Sequence, residues 1–325
     1  MPTIVVTASH FLATSWPYYE LLTAAGFEVR FADLSKSLWE PDHLVAALDG
    51  AAGVICSTEP YTAEVLSRTQ VRVVSRVGVG YDSVNVPAAT EQNIAVCRTP
   101  GTLHQSVVEH TIGMILAIYR NVISQNKQVR AGDWDRTAGP RAYGKTLGII
   151  GYGVIGKEVA KAAVLLGMQV IAYDPIAPAG GPSEVERVAL DEIWRRSDVV
   201  SLHAPCTPET ERIINAQSLA LMKDDALLIN TSRGGLVNEP ELAAAMKGGK
   251  LRGAALDVFE QEPIDKENPL LDVDNIYFTA HMAGLDEQSL LDMSTMAAQN
   301  ILDLYEARWP AANVVNANEL NGWKW

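Results

Sequence analysis

The chain has 325 residues, of which 48% are hydrophobic and 20% are charged, a composition typical of a globular protein with enough apolar material for two cores. Its formal net charge of −13 argues against nucleic acid and anionic membranes as partners. No apolar run reaches the ~18 residues that span a bilayer, and the N-terminal residues do not resemble a secretory signal. Three cysteines without Cys-x-x-Cys spacing favour a cytoplasmic protein without a metal site.

The first hundred residues alternate between strand-like and helix-like patterns. β-Branched and apolar runs predict strands at 3–7, 28–32, 52–56, 71–75 and 94–96. Helical patterns fall between these runs, at 18–25, 41–48, 61–67 and 86–92. This alternation predicts a parallel sheet whose faces are covered by helices.

Two longer helical patterns lie outside this region. Residues 102–129 form the first, which only Gly113 interrupts and which ends near Gly132. The second, at 286–308, has an apolar face formed by Leu290, Met293, Met296, Ala297, Ile301 and Leu304. We expect this C-terminal segment to return to the first unit, which makes that domain discontinuous. Ordinary core helices are the alternative interpretation of both patterns.

One segment in the middle of the chain carries the most specific pattern. An apolar run at 147–150 leads into Gly151, Gly153 and Gly156, and a helical pattern and a second apolar run then end at Asp174. In a dinucleotide-binding turn, the first glycine permits a tight turn, the second admits the pyrophosphate and the third lets helix and strand pack closely. Free N–H groups at the helix N-terminus attract the phosphates. A glycine-rich turn in another α/β protein is the alternative.

The position of this motif predicts the cofactor and the domain organisation. Asp174 follows Gly151 by roughly 20 residues, where a carboxylate accepts a hydrogen bond from a ribose 2′-hydroxyl. Its charge disfavours a 2′-phosphate, so the predicted cofactor is NAD rather than NADP. Because the motif begins near the middle of the chain, another unit must precede the cofactor-binding one. Residues 177–182, rich in proline and glycine, predict a surface loop.

In the second unit, further predicted strands run directly into polar or glycine-rich segments. These strands lie at 197–202, 226–229, 251–256 and 276–278. In an open parallel sheet, ligands bind at the edge formed by the carboxyl ends of the strands. Arg233 and His281 follow two of these strands, and two candidate acids, Glu260 and Glu262, follow another. The sequence therefore predicts an active site at this edge.

These side chains suit the chemistry of a hydroxy acid. An arginine fork matches a carboxylate in two-point geometry, so Arg233 is expected to hold an acid group. A histidine with an ordinary pKa of about 6.5 exchanges protons near neutral pH, and a nearby carboxylate stabilises its charged form. Next to a nicotinamide cofactor, this arginine and this histidine predict hydride and proton transfer that interconvert a 2-hydroxy acid and a 2-oxo acid. Taken singly, each residue has a structural alternative. Arg233 could form an ion pair, His281 could be a hydrogen-bonded structural histidine, and Glu262 could shape a turn.

Several motifs in a fixed order make the chain resemble the D-isomer-specific 2-hydroxyacid dehydrogenases, the family of phosphoglycerate, glycerate, D-lactate, formate and phosphite dehydrogenases. The motifs cover nearly the whole chain and lie at 76–82, 108–110, 151–156, 230–239, 257–263, 281–284 and 313–316. The resemblance implies a Rossmann NAD-binding domain at 101–284. It also implies a discontinuous, flavodoxin-like substrate domain at 1–100 and 285–325. A homodimer built around the long helix and the cofactor domain is expected on the same grounds.

The resemblance also implies a role for each candidate residue. His281 is the acid–base, Glu262 rather than Glu260 supports its protonated form, and Arg233 holds the substrate carboxylate and polarises the carbonyl. Cofactor contacts are implied at Gly151, Gly153, Val154, Ile155, Gly156, Asp174, Pro205, Thr207, Thr231, Ser232, Arg233, Asp257, His281 and Gly284. Asp257 is expected to accept a hydrogen bond from the carboxamide. Substrate contacts are expected at Ser57, Val79, Gly80, Leu103, His104 and Arg233.

Three positions depart from the family pattern. Ala280 stands where the family usually has a proline before the catalytic histidine, and Leu103 stands where an asparagine often faces the substrate. Glu59 follows the third strand, where phosphoglycerate dehydrogenases tend to carry an arginine, and its charge disfavours a phosphate. Because a fold does not imply a function, a non-catalytic NAD(H)-sensing regulator of the same fold is the alternative function.

Overall fold

The computed structural model describes residues 1–176, 181–320 and 322–325. The chain divides into two compact units, Met1–Leu103 with Leu285–Trp325, and His104–Gly284. Each unit contains one sheet, and the described strand pairs in both sheets are parallel. The prediction of two parallel-sheet α/β domains is therefore confirmed.

The sheet of the first unit has five strands. They are β1 (Thr3–Val6), β2 (Glu28–Phe31), β3 (Ala51–Cys56), β4 (Val73–Arg76) and β5 (Ala95–Cys97). Their order in the sheet is β2-β1-β3-β4-β5, which is the doubly wound order of flavodoxin. Each predicted strand is present with ends that differ by at most a few residues, because apolar runs indicate a strand better than its ends.

Helices cover both faces of this sheet. They are α1 (Pro17–Ala24), α2 (Pro41–Ala47), α3 (Ala63–Ser67), α4 (Val86–Glu91) and the C-terminal helix (Glu287–Tyr305). The C-terminal helix is capped by Asp286, whose side chain accepts a hydrogen bond from the Ser289 N–H. Its buried residues Met293, Ala297 and Ile301 join a core with residues of α1 and the sheet. The C-terminal segment therefore belongs to the first unit.

The sheet of the second unit has seven strands. They are β6 (Thr146–Ile150), β7 (Gln169–Tyr173), β8 (Val185–Arg187), β9 (Val199–Leu202), β10 (Leu227–Asn230), β11 (Gly253–Leu256) and β12 (Ile276–Phe278). Their order is β12-β11-β10-β9-β6-β7-β8, so the winding direction reverses between β6 and β9. In doubly wound sheets, such a reversal opens a crevice where ligands bind. The sequence did not predict β8, an edge strand of three residues without an apolar run.

The helices of this unit include a break that the sequence analysis placed wrongly. They are α5 (His104–Tyr119), α6 (Val122–Ala131), α7 (Val154–Leu165), α8 (Leu190–Arg196), α9 (Ala216–Leu221) and α10 (Glu239–Lys247). The pattern at 102–129 forms two helices, separated at Asn121, whose φ is +52°. Asparagine tolerates this left-handed conformation better than most residues do. Gly113 instead lies inside α5.

Residues 177–180 of the predicted loop at 177–182 lie outside the described residues. Among the helices that the structure describes, none combines the length and the apolar character that a membrane span requires.

The C-terminal helix provides a test of the fold. We predict that Ile301→Ala lowers the free energy of unfolding by about 2–5 kcal/mol, because it leaves a cavity in the core of the first unit. Urea unfolding followed by circular dichroism measures the change. Gln288→Ala, at an exposed position of the same helix, is the matched control. Equal stability of the two variants would show that this helix does not hold the core together.

Candidate active site

The glycine loop connects β6 to α7 in a shape that requires glycine. At Gly151, φ is +91°, and a Cβ there would lie 2.5 Å from the backbone carbonyl carbon of His203. A Cβ on Gly156 would lie 2.2 Å from the carbonyl oxygen of Gly151, so the first turn of the helix packs directly on the loop. At Gly153, no heavy atom apart from those of the glycine and its chain neighbours lies within 4 Å of the position that a Cβ would take. This space, at the N-terminus of α7, fits the pyrophosphate of a dinucleotide.

Asp174 lies beside this loop, directly after β7. Its Oδ2 accepts a hydrogen bond of 2.8 Å from the Tyr152 N–H, and its Oδ1 accepts one of 2.8 Å from the Ile176 N–H. Arg187 donates to its backbone carbonyl at 2.8 Å. The carboxylate is thereby held at the edge of the glycine loop. An anionic acceptor in this place suits a ribose 2′-hydroxyl and disfavours a 2′-phosphate.

The other predicted cofactor residues occupy the neighbouring strand ends. At the start of α7, Val154 is exposed and Ile155 is half-buried. Pro205 and Thr207 follow β9, and the Thr207 hydroxyl donates to Glu209 at 2.8 Å. The side chain of Pro205 is exposed. These four residues border the winding reversal between β6 and β9, where a ligand crevice is expected.

Two hydroxyl-bearing residues after β10 are engaged inside the protein. The Thr231 hydroxyl lies 3.0 Å from the hydroxyl of Thr111 on α5, and Thr231 is buried. The Ser232 hydroxyl donates to the carbonyl of Ala204 at 2.6 Å. These hydrogen bonds join the loop after β10 to α5 and to the loop after β9. Both residues therefore brace the strand ends.

His281 and Glu262 form a close pair of titratable groups at this edge. The Nδ1 of His281 lies 2.7 Å from Oε2 of Glu262, and Oε1 of Glu262 accepts from the Phe259 N–H at 3.0 Å. Glu260 instead forms an ion pair with Arg212 at 3.0 Å. Of the two candidate acids, Glu262 is therefore the one that contacts His281.

The surroundings of Glu262 keep it ionised. Burial alone raises the pKa of this carboxyl, but the hydrogen bond and charge of His281 lower it. The Phe259 N–H and the charge of Arg233 lower the pKa further, and the net shift is downward. An ionised Glu262 at Nδ1 stabilises a protonated imidazole and fixes its orientation. The His281 side chain is 38% exposed, so protons can reach it from solvent.

Arg233 belongs to the same group of loops. It follows β10, its Nη1 donates to the carbonyl of Ser232 at 2.7 Å, and its own carbonyl accepts from the Asn230 side chain at 2.8 Å. The next residue, Gly234, has a role that the sequence analysis missed. A Cβ on Gly234 would lie 1.9 Å from the backbone carbonyl carbon of Phe259, so only glycine lets the loops after β10 and β11 meet. The two consecutive glycines after Arg233, Gly234 and Gly235, were the sequence signal that could have predicted this close approach.

Asp257 is turned into the protein. It is 0% exposed, and its carboxylate accepts from the N–H groups of Met282 and Ala283 at 2.7 and 2.8 Å and from the Thr279 hydroxyl. The carboxylate thereby holds the loop that carries His281. Its expected hydrogen bond to a carboxamide stays a prediction. Gly284, just beyond these contacts, ends the second unit.

The predicted substrate residues are divided between the units. Ser57 follows β3, and Val79 and Gly80 follow β4, at the carboxyl edge of the first sheet. Leu103 packs on the core of the first unit. His104 begins α5, in the second unit, and burial lowers its pKa.

The predicted departure at Glu59 takes an unexpected form. Glu59 is buried rather than presented to solvent, and its carboxylate accepts from the Ser57 N–H at 2.7 Å. Burial raises the pKa of Glu59, although hydrogen bonds to nearby backbone N–H groups and to Thr7 oppose this effect.

Among the described parts of the chain, no group of three or more histidine, cysteine, aspartate or glutamate side chains could hold a metal ion.

The chain matches the family model described as "D-isomer specific 2-hydroxyacid dehydrogenase, NAD binding domain" over residues 112–283. A D-3-phosphoglycerate dehydrogenase from Methanocaldococcus jannaschii is 39% identical over 89% of the chain, but the match covers only 56% of that relative. A glyoxylate reductase from Thermofilum pendens is 35% identical over 85% of both chains. The chain thus spans about half the length of the phosphoglycerate dehydrogenases that it matches.

A solved structure extends the similarity to nearly the whole chain. The D-lactate dehydrogenase from Aquifex aeolicus, in complex with NAD and lactic acid, superimposes with a TM-score of 0.85 at 27% identity, over 96% of this chain and 98% of the other. Together with the NAD-binding family model, this likeness confirms NAD as the cofactor.

The open space at Gly153 leads to a binding prediction. We expect Gly153→Ala to weaken NADH binding at least about tenfold, because the added methyl group occupies the approach of the pyrophosphate, while stability stays near that of the parent. Gly113→Ala, also at a glycine with open space around it, is the control and should leave NADH affinity unchanged. NADH fluorescence titration and thermal unfolding measure the two quantities. Unchanged affinity in Gly153→Ala would place the pyrophosphate elsewhere.

His203, beneath the glycine loop, leads to a prediction about pH. Burial lowers its pKa to about 4, whereas an unfolded histidine has a pKa of about 6.5. Between these values, the unfolded state binds a proton that the folded state does not. The free energy of unfolding should therefore be highest above about pH 6.5 and decrease as the pH falls towards 4. Urea unfolding at several pH values should show a weaker decrease for His203→Asn; the same slope in both proteins would refute this origin.

Proposed function

This chain belongs to the D-isomer specific 2-hydroxyacid dehydrogenase family, and we propose that it interconverts a D-2-hydroxy acid and its 2-oxo acid with NAD. The observation that carries the proposal is the 2.7 Å contact between His281 and Glu262 at the carboxyl edge of the NAD-binding sheet. The charge of Arg233 acts on the same carboxylate. An acid–base pair beside an acid-binding arginine is what this reaction needs.

The mechanism assigns one task to each residue. In the oxidation direction, Nε2 of His281 takes the proton of the substrate hydroxyl, and Glu262 stabilises the imidazolium that forms. Arg233 holds the substrate carboxylate in two-point geometry, assisted by backbone N–H groups near Val79 and Gly80. Bound NAD supplies the hydride acceptor or donor at the substrate carbon. In the reduction direction, His281 returns its proton to the carbonyl oxygen.

The chain's own residues hold the cofactor in this proposal. Gly151, Gly153 and the N-terminus of α7 receive the pyrophosphate, and Asp174 accepts from the adenosine ribose. Thr231 and Ser232 act indirectly, because their hydroxyls join the loops that border the crevice. Val154, Ile155, Pro205, Thr207 and Gly284 are the further proposed contacts.

The proposed substrate pocket includes Ser57, Leu103 and His104. Support for a substrate without a phosphate comes from Glu59, because the side chain after β3 at this point is a carboxyl, which accepts from the Ser57 N–H, rather than a cation. The charge of Arg76 acts on the same carboxyl. The names of the relatives alone do not decide this point, since they include both phosphoglycerate dehydrogenases and glyoxylate reductases.

We also propose that the protein is a cytoplasmic homodimer. Helix α6 has no buried residue within the described chain, and it exposes Val122, Ile123 and Val129. Trp134, just beyond α6, is 81% exposed. Exposed apolar side chains on and just after one helix favour burial of that helix against a second copy of the chain. Three cysteines without Cys-x-x-Cys spacing suit a reducing compartment.

A non-catalytic NAD(H)-sensing regulator remains the alternative function. The intact set of Arg233, Glu262 and His281 argues against it, because a sensor has no need of an acid–base pair. A panel of 2-oxo acids with NADH, followed at the nicotinamide absorbance band, distinguishes the two. Turnover of at least one acid supports the enzyme, whereas tight NADH binding without turnover of any acid supports the regulator.

Substitutions at the acid–base pair give the sharper prediction. We expect His281→Ala to lower kcat by about 10²–10⁴-fold with NADH affinity preserved, because only proton transfer is lost. Glu262→Gln should also lower kcat, since the imidazolium loses its charged partner. Glu260→Gln is the matched control from the same loop, and its kcat should stay near that of the parent because Glu260 pairs with Arg212. A normal kcat for His281→Ala would assign the acid–base to another residue.

A further inference from the structure

His110 lies on α5, outside the acid–base pair, and contacts the loop that carries His281. Its Nε2 lies 3.1 Å from the Thr279 hydroxyl oxygen and 3.7 Å from Oδ1 of Asp257. The side chain of His110 is 24% exposed, whereas that of Asp257 is 0% exposed. A histidine from a separate helix thus contacts Thr279 and Asp257. These two residues take part in the hydrogen bonds of the loop that carries His281, residues 279–284, called the catalytic loop below.

The hydrogen bonds around Thr279 have a definite direction. A carboxylate only accepts, so the single hydroxyl proton of Thr279 is donated to Asp257. The Thr279 oxygen is then an acceptor towards His110, and Nε2 of His110 carries the proton. The chain of donors therefore runs from His110 through Thr279 to the buried carboxylate.

Asp257 transmits this chain to the backbone of the catalytic loop. Its carboxylate accepts from the N–H groups of Met282 and Ala283, and its backbone carbonyl accepts from the N–H of His281 at 2.8 Å. A buried carboxylate with several donors is held firmly, because the loss of one donor leaves charge without compensation. Asp257 thus holds residues that precede and follow His281 in the chain.

The backbone of His281 needs such support. Its φ is +54°, a left-handed conformation that costs a non-glycine residue of the order of 1 kcal/mol or more. The preceding residue is Ala280, so no proline ring stiffens the chain at this point. The conformation of His281 is therefore maintained by hydrogen bonds, and the contacts with Asp257 supply them.

We propose that His110 is a positioning residue for His281. By donating to the Thr279 hydroxyl, it orients that hydroxyl towards Asp257 and fixes the carboxylate against the N–H groups of the catalytic loop. His110 contacts neither Glu262 nor His281 in the described hydrogen bonds, so it acts through the loop. The effect on turnover rests on the proposed dehydrogenase function, but the effect on the loop does not.

The test combines hydrogen exchange with kinetics. In His110→Ala, amide exchange at Met282 and Ala283 should accelerate at least about tenfold, while amides of β10 exchange as in the parent. With a 2-oxo acid that the parent turns over, kcat should fall about 10- to 100-fold, because a small displacement of the acid–base disrupts proton transfer. The KM and the NADH affinity should be unchanged.

Two further variants make the test specific. His110→Gln keeps an N–H donor at a similar reach, and it should recover kcat and amide protection to within about threefold of the parent. Thr279→Val removes the hydroxyl at nearly the same volume and should reproduce His110→Ala, which covers the case in which His110→Ala fails to fold. His43→Ala is the matched control. His43 also lies on a helix, but its ring nitrogen contacts the backbone carbonyl of the exposed Ser37. This variant should change nothing.

The outcomes separate this proposal from the function. Unchanged exchange at Met282 and Ala283 in His110→Ala and Thr279→Val overturns the positioning role. Faster exchange throughout the second unit also overturns it, because the role is then merely structural, and so does a His110→Gln variant that behaves like His110→Ala. Locally faster exchange in a protein that turns over no 2-oxo acid supports the positioning role while refuting the dehydrogenase function.

Discussion

Parallel pairing of the strands is the constraint on which the candidate site depends. Because β10, β11 and β12 are adjacent and point the same way, the loops that follow them emerge at one edge of the sheet. Arg233, Glu262 and His281 come from these three loops in that order. Residues that are far apart in sequence thus become neighbours without any one loop having to reach across the sheet.

Close backbone approach is the second requirement, and glycine meets it between neighbouring strand ends. Gly151 turns against the backbone of His203, and Gly234 against that of Phe259. The first approach shapes the cofactor loop, and the second joins the loops that carry Arg233 and Glu262. A side chain at either position would separate strand ends that the proposed chemistry needs together, so these glycines belong to the site as much as its charged groups do.

Much of the fold was predictable because its signals are local. Apolar runs marked the strands, and helical patterns marked helices such as α1 and the C-terminal helix. The failures were also local: the break at Asn121 depends on one residue that accepts a left-handed conformation, and β8 is too short and exposed to show a pattern. Glu260 and Glu262 were equivalent from the strand pattern, and family resemblance had to separate them.

The sequence by itself determined the two α/β units, the glycine loop and the preference for NAD, because turn glycines, strand periodicity and the spacing of Asp174 are properties of short segments. Only the tertiary structure decided which atoms meet. It paired Glu262 with His281, turned Asp257 away from solvent and placed His110 against Thr279, at a separation of 169 residues along the chain. Hydrogen-bond direction and burial depend on such distant partners, and no local pattern specifies them.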